Sequence, residues 1–218
     1  PAGAFCLTEA GAGSDPAGMK TRARRDGDDF VLDGQKLYIT SGEYAGLFVV
    51  WAVTDPEARK GKGISCFLVE AGTPGLTIGK AERKLGQHGS ATNVVHFDGC
   101  RVPASALMGK LDDGFRIAVG ELAGGRIGIA ALSLGIARAA MDAAKAYAKD
   151  RQQFGQAISE FQGIQWMIAD RETDLEAARL LILAAAHKKD RGEPFGREAS
   201  MAKLFASEAA LRATDTAL

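Results

Sequence analysis

The sequence predicts an α+β fold class, with an antiparallel, β-barrel-like domain over residues 1–108 followed by an α-helical bundle over residues 109–218. Three observations carry this reading. Short apolar runs separated by Gly, Asp and Pro fill the first half, as strands and turns do. Near residue 108 the periodicity becomes helical and alanine-rich, and it stays so to Leu218. The 218 residues are 46% hydrophobic, enough for one or two buried cores, with no internal repeat or low-complexity linker between the halves.

Taken in order, the first element is a short apolar run that meets the segment Cys6-Leu7-Thr8-Glu9-Ala10-Gly11-Ala12-Gly13-Ser14-Asp15-Pro16-Ala17-Gly18. The glycines at 11, 13 and 18 let backbone approach a ligand closely, Thr8 and Ser14 carry hydroxyl donors, and free N–H groups in such a turn can hold an anion. Strand-like runs follow at Phe30–Leu32, Leu37–Thr40, Leu47–Val53, Ile64–Val69, Leu76–Ile78 and Val94–Phe97. Asp33-Gly34, between the first two runs, predicts a hairpin, because both central residues of such a turn need positive φ. Helical patterns then cover Asp112–Asp150, Ser159–Arg191, and Arg197 to the end. Ser159 with Gln162 reads as a capping box opening the second helix, and Gly192 followed by Pro194 as its stop. Along that helix Ile164, Met167, Ile168, Leu175, Leu180 and Ile182 predict core packing in one bundle. The chain opens on Pro1 rather than Met and closes inside a helical pattern, which reads as a fragment cut at both ends.

Charge and composition narrow the function classes. Lys and Arg number 27, as do Asp and Glu, so the formal charge is zero and no basic stripe favours nucleic acid or an anionic membrane. The apolar stretches at 46–53 and 177–186 are too short or too polar to span a bilayer, and no signal peptide opens the chain, so the reading is a soluble intracellular protein. Cys6, Cys66 and Cys100 are widely spaced without a Cys-x-x-Cys pair, and read as reduced thiols packed in strands. His88, His96 and His187 lack ligand spacing, so no metal site is expected. A dinucleotide fingerprint starting at Gly11 fails because its sixth place is Pro16, and Gly61-Lys62-Gly63 lacks the hydroxyl of a P-loop.

The Cys6–Gly18 segment instead resembles the flavin-binding signature of the acyl-CoA dehydrogenase family, whose pattern runs small, aliphatic, Ser/Thr, Glu, two residues, small, Gly, Ser/Thr, Asp. The resemblance continues through Asp33-Gly34-Gln35-Lys36-Leu37-Tyr38-Ile39-Thr40, Gly72-Thr73-Pro74-Gly75-Leu76, Phe97-Asp98-Gly99-Cys100-Arg101-Val102-Pro103, Gly114-Phe115, Gly125-Arg126 and Arg151-Gln152-Gln153-Phe154-Gly155. It covers essentially the whole chain and implies the middle β-domain plus part of the C-terminal helical domain of that fold.

What the resemblance implies about function is specific. Family members remove an α-proton with a glutamate while a β-hydride passes to flavin N5. By similarity, Phe5, Leu7 and Thr8 line the isoalloxazine edge of FAD, Ser14 reaches its pyrophosphate and the substrate, and Thr40 sits near N5. Tyr38 stands where many relatives have tryptophan and can still cover the flavin face. Arg151 and Gln162 contact FAD from a neighbouring subunit, and Arg126 belongs to the substrate site. One branch of the family places its base immediately before the arginine matching Arg126, where this chain has Gly125; the other takes it from a Glu-Gly segment beyond Leu218, so no catalytic residue is assigned in this chain. Glu121 reads as an exposed helix carboxylate, and Ala123 replaces an aspartate that contacts acyl-CoA in many relatives. Residues 121–135 and Lys62–Cys66 lean towards short-chain and isobutyryl members, within fatty-acid or branched-chain amino-acid metabolism. The implied protein is an FAD-dependent acyl-CoA dehydrogenase and homotetramer, passing electrons to an electron-transfer flavoprotein in the cytoplasm of a bacterium or the mitochondrial matrix of a eukaryote. Two alternatives stay open: a flavin oxidase or monooxygenase of the same fold, and a noncatalytic flavin-binding or assembly module.

Overall fold

The computed structural model describes residues 2–218, with Pro1 outside the described residues. Alternating burial sets up the strands of the first half. In β1 (Ala2–Cys6), Ala4 and Cys6 turn inwards while Gly3 and Phe5 face away. It is followed by β2 (Arg22–Asp26), β3 (Asp29–Thr40), β4 (Ala45–Val53), β5 (Ile64–Glu70), β6 (Leu76–Ala81), β7 (Thr92–Pro103) and β8 (Leu107–Met108). They form one eight-stranded sheet in the order β6-β7-β3-β2-β4-β5-β8, with β1 paired to β4.

The sheet departs from the all-antiparallel, barrel-like expectation in two respects. β1 and β2 each pair with β4 in parallel, so the sheet is mixed, and its path runs from β6 to β8 without closing. Parallel partners need a long crossover, which residues 7–44 supply here, and turn signals in the sequence report only connections between adjacent strands.

The expected hairpin also lies elsewhere. β3 runs straight through Asp33-Gly34, and the turn sits one step earlier at Gly27-Asp28, where Asp26 pairs with Asp29 and Gly27 has φ 64°. At Gly34 the register against β7 shifts, φ is 150°, and a Cβ would lie 2.7 Å from the Thr21 Cα. The glycine is there for close backbone approach, not for a turn.

Apolar side chains cover both faces of the sheet. One face gathers Cys6, Leu32, Phe48, Val50, Phe67 and Val95; the other gathers Leu7, Met19, Trp51 and Cys66 with Ala118 from the start of α1 (Gly114–Asp150). Trp51 is fully buried, and its indole N–H donates to the Gly114 carbonyl at 2.7 Å. A Cβ on Gly114 would fall 2.5 Å from the Ser65 carbonyl carbon, so the helix start rests directly on the backbone of β5.

The chain divides into two compact units at Val119–Gly120, within α1. The second unit adds a small hairpin, β9 (Gln152–Gln153) with β10 (Gln156–Ala157), then α2 (Gln162–Asp190) and α3 (Gly196–Ala217). Phe154 and Gly155 both have positive φ, 51° and 79°, which is what a two-residue hairpin loop requires. The predicted capping box does not form. Phe161 occupies the N-cap without a side-chain bond, and Ser159 lies in a 3-10 turn with its carbonyl accepting from Gln165 at 3.0 Å. Gly192 ends α2 as expected, with φ 67° and its N–H bonded to the Lys189 carbonyl.

Alanine carries much of this unit's core. Ala199, Ala202, Ala206, Ala209 and Ala213 on α3 recur at steps of three and four, and Leu175, Ala178, Ile182 and Ala185 do so on α2. Of the apolar set expected to pack inside α2, Leu175 and Ile182 are buried, whereas Met167 and Leu180 are 46% and 54% exposed. No single run in the sequence stands out as a bilayer-length stretch, yet α1, with 37 residues, is long and apolar enough by length and composition to cross a membrane. Alanine with scattered Ile, Leu and Val raises its hydropathy, while the interspersed glycines and charges keep it from reading as an apolar block.

Gly114→Ala should cost about 1–3 kcal/mol, the range for forcing a methyl into a packed site. Urea unfolding of the variant checks this, and an unchanged midpoint would refute direct seating of α1 on β5.

Candidate functional site

Residues 7–9 are pinned to β3 at three points. Lys36 Nζ donates to the Leu7 carbonyl at 3.1 Å and to Glu9 Oε1 at 2.8 Å, and the Leu37 N–H donates to the Thr8 carbonyl at 2.8 Å. The Glu9 carboxylate also accepts the N–H groups of Lys20 and Thr21, at 2.6 and 3.0 Å. Its own backbone closes a tight turn with Ala12 through two hydrogen bonds. Lys36 is 0% exposed. Burial pushes the Glu9 carboxyl up, but the Lys36 ammonium and the converging N–H groups outweigh it and leave the group below its ordinary value. For Lys36 burial dominates, and it holds the ammonium below the usual lysine value despite Glu9.

Beyond this anchor the loop is open. Gly11, Gly13 and Ser14 are exposed, and their N–H groups meet no protein acceptor among the described residues. Asp15, next in the chain, pairs with Lys60 across the surface. Phe5 is 38% exposed on the outward face of β1, its ring tilted against Trp51 with centroids 4.4 Å apart. The Leu7 side chain is buried in the Trp51 cluster, so only its backbone can serve the surface. Tyr38 occupies the left-handed region at φ 57°, inside the register shift between Lys36 and Ile39, with its ring 66% exposed. A bulky residue is uncommon there and persists where surrounding structure fixes it. Thr40 is exposed at the end of β3, opposite Thr92.

The first unit therefore brings Thr8 beside the Leu37-Tyr38 step, with Thr40 two residues further along the same strand. Ser14 makes no hydrogen bond with these residues. In the second unit Arg151 and Gln162 flank the short β9–β10 hairpin, and both are exposed. Arg126 is exposed on α1, about 36 Å from the C-terminal end of that helix at ~1.5 Å per residue, so the helix holds it far from Arg151. Glu121 is exposed on the same helix. Among the described residues no group of three or more His, Cys, Asp or Glu is placed to hold a metal ion.

Nothing in the sequence marks Glu9, Lys36 or Trp51 for a role of its own at this site, save the parity of Lys36. Lys36 falls an even number of places after Phe30 and Leu32 on the inward side of β3, where a cation demands a buried acceptor. The partner, 27 residues away in the chain, carries no such mark.

Residues 4–100 match the family model described as acyl-CoA dehydrogenase, middle domain, and residues 112–218 match acyl-CoA dehydrogenase, C-terminal domain. The chain belongs to the acyl-CoA dehydrogenase family. The short/branched chain specific acyl-CoA dehydrogenase of rat mitochondria is 47% identical over 208 residues, covering 95% of this chain and 48% of that protein. Acryloyl-CoA reductase (NADH) of Anaerotignum propionicum is 48% identical over 219 residues, covering 99% and 55%. The structure of butyryl-CoA dehydrogenase from Megasphaera elsdenii matches with a TM-score of 0.96 at 45% identity, over 99% of this chain and 56% of that one. The chain thus spans about half the length of the curated relatives it matches. Acyl-CoA dehydrogenases are a family of oxidoreductases that generally use FAD, and the fold of this chain is theirs.

In this acyl-CoA dehydrogenase chain Cys6, Cys66 and Cys100 are buried and unpaired in β1, β5 and β7. Burial pushes the Cys6 and Cys66 thiols up to about 12 and that of Cys100 to about 11. Only thiolate reacts readily with alkylating agents, so all three should resist iodoacetamide in the folded protein until the pH approaches 11 and react at pH 8 once it is unfolded. Mass spectrometry of labelled native and unfolded protein checks this.

Proposed function

We propose that the protein of which this chain is part is an FAD-dependent acyl-CoA dehydrogenase, converting a short-chain or branched short-chain acyl-CoA to the 2-enoyl-CoA. The observation that carries this reading is the anchored, open loop. Gly11, Gly13 and Ser14 offer N–H groups without protein acceptors, and the same anchor holds Thr8 against the Leu37-Tyr38 step with its exposed tyrosine, a combination suited to a flat apolar ring system bearing a pyrophosphate. The donor set fits a flavin. When bound, the flavin supplies the acceptor for the β-hydride.

The roles of the chain's own residues are those the family resemblance implies, and their chemistry suits them. Phe5 and Tyr38 give apolar cover that excludes water, and Leu7 contributes backbone. Thr8 and Thr40 donate hydroxyl hydrogen bonds to the ring's polar edge. Ser14, with the free N–H groups of Gly11 and Gly13, holds phosphate oxygens, and Ser14 also reaches the substrate. Arg151 and Gln162 complete the site from a neighbouring copy, the guanidinium adding a charge-assisted bond to a phosphate. Arg126 serves the acyl-CoA site. The base that accepts the α-proton is read as a glutamate beyond Leu218, and Glu121 is left as a solvated helix carboxylate. The same reading makes the protein a homotetramer that passes electrons to an electron-transfer flavoprotein, in a bacterial cytoplasm or a mitochondrial matrix. The exposed Tyr38 ring supports a second reading, in which the reduced protein reacts with oxygen as an oxidase does.

Anaerobic titration of the intact protein's flavin absorbance with butyryl-CoA and isobutyryl-CoA should bleach it, and the steeper titration identifies the acyl class. Flavin that stays oxidised with both would overturn the dehydrogenase reading, and fast reoxidation in air would favour the oxidase. Arg151→Ala should weaken FAD binding roughly tenfold to a hundredfold, the loss of one charge-assisted hydrogen bond, whereas Glu121→Gln should leave turnover largely intact. Normal flavin content in the first variant or abolished turnover in the second would remove the corresponding assignment.

A further inference from the structure

The Glu9–Lys36 ion pair takes no part in the roles just assigned, yet it stands between the two segments that would face the flavin. We propose that it is the positioning device of that surface, setting the backbone of residues 7–14 relative to Tyr38, so that flavin affinity and reduction potential depend on it. This inference rests on the reading of those segments as flavin-facing.

A lysine ammonium has three N–H donors and accepts nothing. Lys36 directs them at the Leu7 carbonyl, at Glu9 Oε1 and at Met19 Sδ, 3.8 Å away, with no water access. All three partners lie in the stretch from Leu7 to Met19 that contains the open loop. Glu9 then spends its remaining acceptor capacity on the N–H groups of Lys20 and Thr21, on the far side of that loop. Both ends of the glycine-bearing segment 10–19 are thereby tied to one buried point.

Such a segment needs an external stay. Glycines at 11, 13 and 18 leave it many backbone states, and a loop that must be ordered on binding loses affinity in proportion. The pair also reaches the second segment. Lys36 is followed by Leu37, whose N–H holds the Thr8 carbonyl, and then by Tyr38 at φ 57°. Loop and strained tyrosine are thus fixed in one frame by adjacent residues of β3.

Stability alone does not call for charges here. Replacing both members of a buried ion pair by apolar residues of similar volume is often neutral or stabilising. Two apolar side chains could fill this space, but they could not hold a carbonyl and two N–H groups in place. A positioning role therefore predicts that fold and flavin site respond differently to the same substitution.

The test is the double variant Glu9→Leu/Lys36→Met in the intact protein, read by three quantities: melting of the flavin-free form, FAD Kd by fluorescence quenching, and flavin midpoint potential. A flavin-free form that still melts cooperatively, with FAD bound at least about tenfold more weakly and a shifted potential, is the expected result. A folded double variant with Kd within about twofold and an unmoved potential overturns the proposal. If the double variant does not fold, Glu9→Gln decides, since it keeps the shape and one acceptor oxygen but removes the charge that holds Lys36. At least about threefold weaker FAD binding then supports the positioning role, and an unchanged Kd overturns it. An unsubstituted protein that takes up no FAD would overturn the flavin reading and this proposal together, whereas normal uptake with unaffected variants removes the positioning role alone.

Discussion

A lysine with none of its surface in water must find its hydrogen-bond acceptors inside the protein, and Lys36 finds them in the residues between Leu7 and Met19. Desolvating an ammonium costs several kcal/mol, and only close, well-directed partners offset it. The requirement propagates outward. Glu9 must be drawn in from the end of β1, its carboxylate must be filled by backbone donors at 20 and 21, and the chain there must lie against β3 closely enough that position 34 has room only for hydrogen. One buried cation thus couples β1, the turn after it and the centre of the sheet.

That coupling explains why an open surface can sit on a rigid scaffold. Binding groups work best when held by elements that do not move, while the loop presenting them keeps its donors unspent. Here β3 supplies rigidity through its pairing with β2 and β7, and a local register shift turns Tyr38 outwards without ending the strand. The parallel placement of β1 beside β4 matters equally. It brings Phe5 onto Trp51, and Trp51 in turn is tied to the first residue of α1, so the outward aromatic rests on a ring fixed at its far side.

Much of this architecture was legible from periodicity. The apolar runs at 47–53, 64–69 and 94–97 lie inside β4, β5 and β7, and all three helices begin within a few residues of where the pattern changes. What escaped did so for definite reasons. β2, with Arg22, Arg24 and Arg25 among its five residues, is charged because one face is solvent and lacks the apolar run that marks a strand. Asp33-Gly34 imitates a hairpin turn because glycine serves turns and close contacts alike, and only the position of Thr21, set by tertiary structure, separates the two. The Ser159–Gln162 spacing suits a capping box, but a 3-10 turn had already claimed Ser159. At the site, hydroxyls and glycines were visible as chemistry in the sequence. The ion pair that holds them was not, since its members are ordinary surface residue types until the fold removes them from water.

The alanine seam of α2 and α3 constrains how these helices can change over time. A seam built from large side chains can trade volume between neighbours, shrinking one as another grows. Ala199, Ala202, Ala206, Ala209 and Ala213 have nothing to give up except a methyl group, and each added carbon would push two backbones apart along the whole contact. Substitution to glycine keeps the distance but loosens the helix by roughly 1 kcal/mol per site. Drift along this line is therefore closed in both directions, and lineages diverging from this sequence would vary on the exposed faces of α2 and α3 while the line between them stayed nearly fixed.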